Sequence, residues 1–575
     1  MNEEIEYGPK QPFSQDLHQT KYRQKGEDFK ESMSRQANAQ KDGEDHYRAY
    51  RQLILEMKWL PPGRVQAAMG AARRVTPYNC FVSRRIPDSM AGIMAAVAEA
   101  AETMRMGGGI GYDFSTLRPR GDHIRSLDSK SSGALSFMGI FDALCKTISS
   151  SGHRRGAQMG VLRVDHPDIE EFVHSKQNLT NLSQFNISIG VTDRFMQCVK
   201  DGTPFELKFE GRVYKTIDAS ELWEQVMRST WNWADPGVLF MDRINEMNNL
   251  YYCETIAATN PCGEQPLPPY GACLLGSQNL AAYIIDDGVL NGGRRFDWVA
   301  FTSSIPTIVR AMDNVIDRAT YPLTEQEFEA KDKRRMGLGV AGLANAAEAL
   351  GYTYGGIAML AFTEKVMKVM TNEAYRASTE LAREKGPFPA YSPVMYPGSQ
   401  FIKRLDEDVQ DAIKEYGIRN SHLISIAPTG TISLCADNIS SGIEPVWSYE
   451  YDRIVQTFDG PVTVTVKDYG WNTWGVKGKL ATQCTAEEHL DVLIACTKWV
   501  DSAVSKTCNV SPDMAWDSFK QIYMTAWEHG CKGITTFNPG GKRFGILETP
   551  TIDQIQEEEG GACYVDLETG SKECS

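Results

Sequence analysis

The sequence lacks long apolar runs, has few cysteines and carries no excess of positive charge. No window approaches the roughly 18 uncharged apolar residues of a transmembrane helix. The first residues, MNEEIEYGPKQPF, lack the basic and then apolar pattern of a secretory signal. Thirteen cysteines in 575 residues are far below the density of a disulfide scaffold, so most should be free thiols in a reducing compartment. We therefore expect a cytoplasmic protein without a membrane partner.

The net charge of −14 argues against a general nucleic-acid-binding surface. Anionic ligands would have to be bound by local arginine clusters and backbone N–H groups. Apolar residues make up 42% of the chain, which is enough for a substantial core. Length and composition are typical of a soluble enzyme.

One short segment combines three reactive or hydrogen-bonding groups. In the sequence TNPCGEQ at 259–265, an amide, a thiol and a carboxylic acid occupy the alternating positions Asn260, Cys262 and Glu264. In an extended chain, alternate residues face the same side, so the three groups would share one pocket. Such a set can hold a small polyol while the sulfur attacks it. The alternative for this segment alone is a buried cysteine on a turn.

Eight segments, in order along residues 55–545, resemble the large catalytic subunit of ribonucleotide reductase in its adenosylcobalamin-dependent class II form. They are LPPGR at 60–64, NC at 79–80, MGGGIGYDFSTLRPRGD at 106–122, HRRGAQMGVLRVDHPDIEEF at 153–172, NPCGEQPLPPYGACLLGSQNL at 260–280, RRMGLGVAGL at 334–343, APTGTISL at 427–434 and SAVSKTCNV at 502–510. A single glycine-rich run would be weak evidence, whereas eight segments in the family's order are specific.

The predicted fold class is α/β. Short apolar runs such as LISIA at 423–427 alternate with helical stretches such as 90–104, which indicates parallel strands linked by helices. The resemblance implies a ten-stranded α/β barrel made of two five-stranded parallel halves. We expect three regions: an N-terminal helical region at 1–75, the catalytic barrel at 76–545 and a flexible redox tail at 546–575. The polar composition of the first fifty residues favours a solvated helix or arm, and too few residues precede the LPPGR segment for the family's ATP-sensing cone.

The resemblance also implies roles for five catalytic residues. Cys262 would become a transient thiyl radical, Glu264 would deprotonate the ribose 3′-hydroxyl, and Asn260 would orient the ribose. Cys80 and Cys273 match the family's reducing pair, which becomes a disulfide when the 2′-carbon is reduced. Sequence alone would treat each of these two cysteines as structural.

A second set matches the family's substrate-binding residues. It comprises Asn79 and the loop Pro428, Thr429, Gly430, Thr431, Ile432 and Ser433. The loop offers hydroxyls, a glycine that permits close backbone approach, and successive N–H groups, as anion cradles do. Without the other segments it could equally be a plain strand-to-helix cap.

An effector site is implied for a nucleoside triphosphate, with Mg²⁺ as an optional companion ion. Asp88 matches the acid that binds the effector sugar, and Arg118 matches a residue that meets its phosphate. Arg154 and Arg155 lie on the family's loop between effector and substrate. That site usually forms at a dimer interface, so we expect a homodimer. A basic surface loop is the alternative reading of residues 150–159.

The acidic tail carries Cys563 and Cys574, which we interpret as a dithiol that re-reduces the buried disulfide by exchange with a thioredoxin or glutaredoxin-type reductant. Their spacing is wider than in the family's common tail, so two incidental exposed cysteines are the alternative. A metal site is not expected, because two cysteines without a nearby histidine cannot supply four zinc ligands.

Three other classes compete with the class II interpretation. The class I large subunit uses a tyrosine pair as a radical relay, but Thr535 and Thr536 stand where such a pair would be. The glycyl-radical form is disfavoured, because no Arg-Val-x-Gly-Tyr run is present and Glu264 is. A catalytically dead nucleotide-binding protein is disfavoured by the intact catalytic cysteines. Resemblance to dimeric class II members favours ribonucleoside diphosphates as substrates.

Overall fold

The computed structural model describes residues 7–542, apart from 125, 151–153, 156, 179–180, 287–292 and 458–459, together with the pairs 564–565 and 572–573. None of the helices in this part of the chain is long and apolar enough to cross a membrane.

The helices are distributed along the whole described chain. They are α1 (Pro12–Tyr22), α2 (Phe29–Gln40), α3 (Gly43–Leu55), α4 (Gly63–Ala68), α5 (Met90–Arg105), α6 (Ala134–Thr147), α7 (Ile169–His174), α8 (Asp193–Asp201), α9 (Ala219–Trp233), α10 (Met241–Glu246), α11 (Trp298–Arg318), α12 (Thr324–Lys333), α13 (Leu343–Ala349), α14 (Ile357–Lys385), α15 (Glu407–Tyr416), α16 (Gly430–Cys435), α17 (Tyr469–Trp474), α18 (Ala486–Thr497) and α19 (Trp516–Glu528).

The strands form one large sheet and several two-stranded ribbons. They are β1 (Trp59–Leu60), β2 (Cys80–Val82), β3 (Gly109–Asp113), β4 (His123–Ile124), β5 (Ser129–Lys130), β6 (Ser149–Ser150), β7 (Arg154–Arg155), β8 (Gln158–Arg163), β9 (Phe185–Val191), β10 (Pro204–Phe209), β11 (Arg212–Asp218), β12 (Gly237–Phe240), β13 (Ala258–Thr259), β14 (Pro266–Leu267), β15 (Ala272–Asn279), β16 (Ile284–Asp286), β17 (Arg294–Phe296), β18 (Met336–Ala341), β19 (Glu450–Thr457), β20 (Gly460–Lys467), β21 (Thr507–Asn509), β22 (Gly533–Phe537), β23 (Tyr564–Val565) and β24 (Lys572–Glu573).

The helical stretch predicted at 90–104 is α5, and its sequence explains both its start and its packing. The Ser89 hydroxyl accepts a hydrogen bond from the Gly92 N–H (3.2 Å) and caps the first turn. Buried positions then recur at helical spacing, which places one apolar stripe against the core. These buried residues are Ile93, Ala96, Val97, Ala100, Thr103 and Met104.

Five strands pair in parallel in the order β2, β3, β8, β9 and β12. Their side chains are largely buried on both faces, as in sheets covered by crossover helices. This five-stranded parallel unit agrees with one of the two predicted halves, and the α/β fold class is confirmed.

The remaining strands of the large sheet join this unit at both edges in the antiparallel sense. β15 pairs with β2, and β22 pairs with β12. β15 in turn pairs in parallel with β18, and β22 with β21. Single parallel bridges connect Leu338 to Ile424 and Ile426 to Val504, so the predicted run 423–427 lies between these two groups of strands. Closure of all ten strands into a barrel stays a prediction, as do the three domain boundaries.

The expectation of a solvated N-terminal arm is wrong for the described residues. Helices α2 and α3 contribute Met33, Tyr50 and Ile54 to the main hydrophobic core. Helix α1 packs against α16, and the Gln11 side-chain amide donates to the backbone carbonyl of Asp437 (2.8 Å). This burial is hard to predict from the sequence, because polar residues occupy the outer faces of these helices and also several of their buried positions.

Candidate active site

Asn260, Cys262 and Glu264 lie on the loop that joins the short antiparallel strands β13 and β14. The loop is a turn and not the extended segment that the alternating pattern suggested: the Gly263 N–H donates to the Asn260 carbonyl (3.1 Å), and Gly263 has a positive φ of 86°. The three side chains nevertheless border one cavity. Turn geometry, rather than strand alternation, brings them together.

This loop presses against strand β3 at positions where a side chain would not fit. A methyl group on Gly111 would collide with the backbone oxygen of Thr259, and one on Gly109 would meet the ring of Pro261 at 3.1 Å. The glycines in the sequence MGGGIGYD therefore allow the reactive loop to pack directly on the sheet. Substituting Gly111 would push the loop out of place.

Asn260 and Glu264 both contact the thiol of Cys80. The Asn260 side-chain amide donates to the Cys80 sulfur (3.2 Å), and the Cys80 thiol points to the Glu264 Oε1 (3.8 Å). Burial raises the pKa of Glu264 from 4.5 to about 7, against the opposing effect of the hydrogen bonds from Asn260 and Cys80. Its Oε2 is buried without a hydrogen-bond partner. The carboxyl is thus poised to accept or release a proton near neutral pH.

Cys80 and Cys273 are directly opposite each other on the antiparallel strands β2 and β15. Directly opposite residues have Cα atoms about 4.5–5.5 Å apart, within the range that a disulfide requires. Both are buried and neither is part of a disulfide, and burial raises the pKa of Cys273 well above its ordinary value. The fold therefore brings the two predicted reductants into register although they are far apart in sequence.

Cys262 borders two cavities. One is the main cavity, and the other is a narrow cleft on the far side of the loop, bordered also by Ser188, Lys506 and Thr535. Cys262 is the one described cysteine that is disulfide-bonded. Radical chemistry at its sulfur requires the free thiol.

The main cavity has a volume of about 600 Å³ and also contains most of the predicted substrate-binding residues. These are Asn79, Pro428, Thr429, Gly430, Thr431 and Ile432. The side-chain oxygen of Asn79 is buried without a hydrogen-bond partner. Asn79 and Glu264 border the same cavity and each has a buried acceptor oxygen without a hydrogen-bond partner, which suits a ligand with several hydroxyl groups.

The loop 428–433 has a fixed local geometry. Thr429 has a left-handed backbone conformation (φ 60°), and its hydroxyl bonds the Ser433 hydroxyl (2.9 Å) and accepts from the Gly442 N–H (2.7 Å). Ser433 itself is buried and does not border the cavity. Ser433 therefore stabilises the loop through its hydrogen bond to Thr429, whereas residues 428–432 border the main cavity.

Sequence reasoning missed a group of basic residues around the same cavity: Lys21, Arg64, Arg73 and Arg74. Arg64 belongs to the LPPGR segment, and Lys21 lies in the region that the sequence predicts to be solvated. Adjacent arginines just before Asn79 in an acidic chain were a signal that could have been used. The guanidinium of Arg64 lies over Gly107, where any side chain would collide with it and where φ is +93°.

The predicted effector residues Asp88 and Arg118 form an ion pair (Nε–Oδ2 2.7 Å), and the Arg118 N–H donates to the Asp88 Oδ1 (3.2 Å). They are separate from the residues that border the main cavity. Arg154 and Arg155 belong to strand β7, which pairs with β6.

The predicted tail dithiol, Cys563 and Cys574, lies outside the described residues. The described pair Lys572–Glu573 lies close to helix α16, which follows the loop at 428–433.

A parallel α/β sheet that holds a thiol loop beside a cross-strand cysteine pair defines a thiol-based oxidoreductase site. The chain belongs to the ribonucleotide reductase family, whose barrel-domain model matches residues 78–469 and 476–537. It is similar to the vitamin B12-dependent ribonucleoside-diphosphate reductase of Mycobacterium tuberculosis, with 34% identity over 523 residues that cover 84% of this chain and 71% of the relative. A protein of the same name from Thermoplasma acidophilum is 34% identical over 510 residues, covering 84% of this chain and 63% of that protein. The ribonucleoside-diphosphate reductase large subunit of vaccinia virus is 28% identical over 447 residues, covering 70% and 57%.

Proposed function

We propose that this protein reduces ribonucleoside diphosphates to 2′-deoxyribonucleoside diphosphates by thiyl-radical chemistry, with adenosylcobalamin as the source of the radical. The observation that carries the proposal is the placement of Cys262, Glu264 and Asn260 on one loop beside the facing thiols of Cys80 and Cys273. The names of the bacterial and archaeal relatives support the substrate class and the cofactor.

The first chemical step is removal of the ribose 3′-hydrogen by the sulfur of Cys262. Glu264 accepts the proton of the 3′-hydroxyl, a task that suits a buried carboxyl with a pKa of about 7 and an unpartnered Oε2. Asn260 is held by the Gln265 N–H, which donates to its Oδ1 (2.9 Å). This bond fixes the side-chain amide of Asn260, which can then orient the ribose while it donates a hydrogen bond to the Cys80 sulfur.

The second step is loss of the 2′-hydroxyl as water and reduction of the sugar. Cys80 and Cys273 together supply two electrons and two protons, and a disulfide forms between their sulfurs. One ribonucleotide and two thiols thus give one deoxyribonucleotide, one disulfide and one water. At the end of the cycle the Cys262 thiol returns its hydrogen to the 3′-carbon, which completes the deoxyribonucleotide and regenerates the thiyl radical.

Cys262 also borders the narrow cleft of about 30 Å³, which would give a radical-generating cofactor a path to its sulfur if the cleft widened when the cofactor bound. The border of the cleft combines small or polar residues, among them Ser188, Gly533 and Thr535, with apolar side chains such as those of Met159 and Leu239. When bound, adenosylcobalamin supplies the radical that removes the hydrogen of the Cys262 thiol. Thr535 stands at the position of the class I tyrosine relay, and a threonine cannot serve as one.

Regulation and re-reduction belong to the same proposal. A nucleoside triphosphate effector, with or without Mg²⁺, would bind at Asp88 and Arg118 in a homodimer. The exposed side chains of Met90 (61%) and Met94 (45%), close to Asp88 in sequence, support an apolar contact with a second copy.

Cys563 and Cys574 of the tail would pass electrons from a thioredoxin or glutaredoxin-type protein in the cytoplasm to the disulfide between Cys80 and Cys273.

The test is turnover of the purified chain with and without adenosylcobalamin. Reduced protein, cytidine diphosphate and dithiothreitol should give deoxycytidine diphosphate only when the cofactor is present and with no second protein subunit. Freeze-quenched samples should show a paramagnetic signal that is lost in Cys262→Ser. Activity that needs a metal-loaded partner protein instead would establish the class I alternative.

A further inference from the structure

The entrance of the main cavity carries a cluster of basic side chains that the reaction steps above do not use. Lys21 is on the last turn of α1, and Arg73 and Arg74 lie between α4 and β2. All three are exposed and border the cavity that contains the catalytic loop. We call Lys21, Arg73 and Arg74 the basic rim.

The charge of the basic rim is not neutralised by the rest of the described chain. None of its three members forms an ion pair with a described residue, whereas many exposed cations elsewhere do, such as Arg48 with Asp45 and Arg105 with Glu102. Glu264 is the one carboxylic acid that borders the cavity in the described residues, and burial raises its pKa to about 7. A cationic entrance in a chain of net charge −14 attracts anions to this point of the surface.

We propose that the basic rim recognises the outer phosphates of the nucleotide substrate and so sets how strongly the enzyme discriminates by the number of phosphates. This inference rests on the proposed function for the position of the ribose. The ribose must lie against Cys262 and Glu264, which leaves the phosphates toward the loop 428–432 and the cavity entrance. Each further phosphate adds negative charge near the rim.

The N-terminal helix α1 is then part of the nucleotide site and not only a cover over the core. It is held against α16 by packing and by the Gln11 side chain, which donates to the Asp437 and Lys467 carbonyls (2.8 and 2.9 Å). Lys21 is therefore carried on an element whose position is fixed relative to the phosphate loop. Binding a phosphate to a cation on a fixed element requires less ordering of the backbone than binding it to a cation on a loose arm.

The test compares the double variant Arg73→Glu/Arg74→Glu with wild type on cytidine mono-, di- and triphosphate. Each lost or reversed surface contact changes binding by a few-fold, so we expect KM for the diphosphate to rise about 10-fold at low ionic strength and less than about 3-fold at 0.5 M salt. The rise should be smaller for the monophosphate and larger for the triphosphate. Lys21→Glu should act in the same direction, and Arg73→Gln/Arg74→Gln should be intermediate.

The matched control is Arg383→Glu/Lys414→Glu, which makes the same change of net charge at two exposed residues outside the cavity. It should leave the three KM values near those of wild type. Equal rises for all three nucleotides, or equal rises in the control, would overturn the proposal.

A competing occupant of the rim is the acidic C-terminal tail, and the choice of reductant separates the two. If the rim variant loses thioredoxin-driven turnover but keeps wild-type KM values with dithiothreitol, the rim serves the tail and the proposal is wrong. Equilibrium dialysis measures the affinity of the wild type and of the rim variant for cytidine diphosphate without any turnover. If the wild type binds the nucleotide more tightly than the rim variant but never reduces it, the proposed function is refuted. The proposal that the basic rim recognises phosphates would still hold.

Discussion

Replacing Glu264 with glutamine removes the proposed general base while keeping the shape of the side chain. Since the carboxyl must be ionised to accept the 3′-hydroxyl proton, wild-type kcat/KM should rise with pH and level off above about 7, the pKa of Glu264. The variant should lose about 10²–10⁴ in kcat/KM at pH 8 and show no rising limb centred on that pKa. The assay is deoxynucleotide formation with adenosylcobalamin and dithiothreitol, measured between about pH 5.5 and 8.5.

Glu348 provides a matched control for this experiment. It is another buried carboxyl without hydrogen-bond partners for its two oxygens, and burial raises its pKa to about 8. It lies on α13 and does not border the main cavity. Glu348→Gln should therefore keep the wild-type pH profile. A rising limb that persists with an unchanged midpoint in Glu264→Gln would refute the role of Glu264 as the base.

The same pKa has a consequence for stability. The folded pKa of about 7 lies above the ordinary 4.5, so between these values the folded chain binds more protons and the free energy of unfolding falls as pH rises. The difference of about 2.5 corresponds to about 3 kcal/mol, fully expressed above pH 7. Glu264→Gln should therefore gain stability relative to wild type, by about 2 kcal/mol between about pH 5.5 and pH 8, in urea unfolding. A constant difference across this range would show that the carboxyl is not perturbed by burial.

Four further predictions concern the cysteines and the effector site. Cys262→Ser or Ala should reduce multiple-turnover activity at least about a thousandfold while nucleotide binding by equilibrium dialysis stays intact; residual activity above that level would contradict its radical role. Pre-reduced wild type without added reductant should make about one product per site and form a Cys80–Cys273 disulfide, detected by mass spectrometry of peptides, and Cys80→Ser should form neither. Cys563→Ser/Cys574→Ser should lose thioredoxin-driven turnover and keep dithiothreitol-driven turnover, because a tail of about thirty residues can reach a buried site that a folded protein cannot; equal thioredoxin rates would show that these two cysteines are incidental. An effect of dATP on the choice of nucleotide substrate should be lost in Asp88→Ala, because Asp88 is a proposed effector residue; an effect of unchanged size in the variant would contradict an effector site at Asp88.

The sequence was sufficient for the fold class and the family because these depend on local, ordered signals. Apolar runs alternating with helical stretches predicted parallel strands, and α5 begins and ends close to the predicted stretch because its cap and apolar spacing are local properties. The order of eight short segments carried the resemblance. The types of catalytic group in TNPCGEQ were also readable from the residues alone.

The tertiary structure decided which of these groups meet. Cys80 and Cys273 face each other only because β15 pairs with β2 in one register, and a shift by one residue would separate them. The catalytic loop is a turn because Gly263 adopts a positive φ and β13 pairs with β14, which side-chain alternation cannot reveal. Burial of Glu264, and with it a pKa near neutrality, depends on contacts from distant segments. The basic rim is likewise a product of packing, since α1 and the arginines before β2 reach the same cavity from separate parts of the chain.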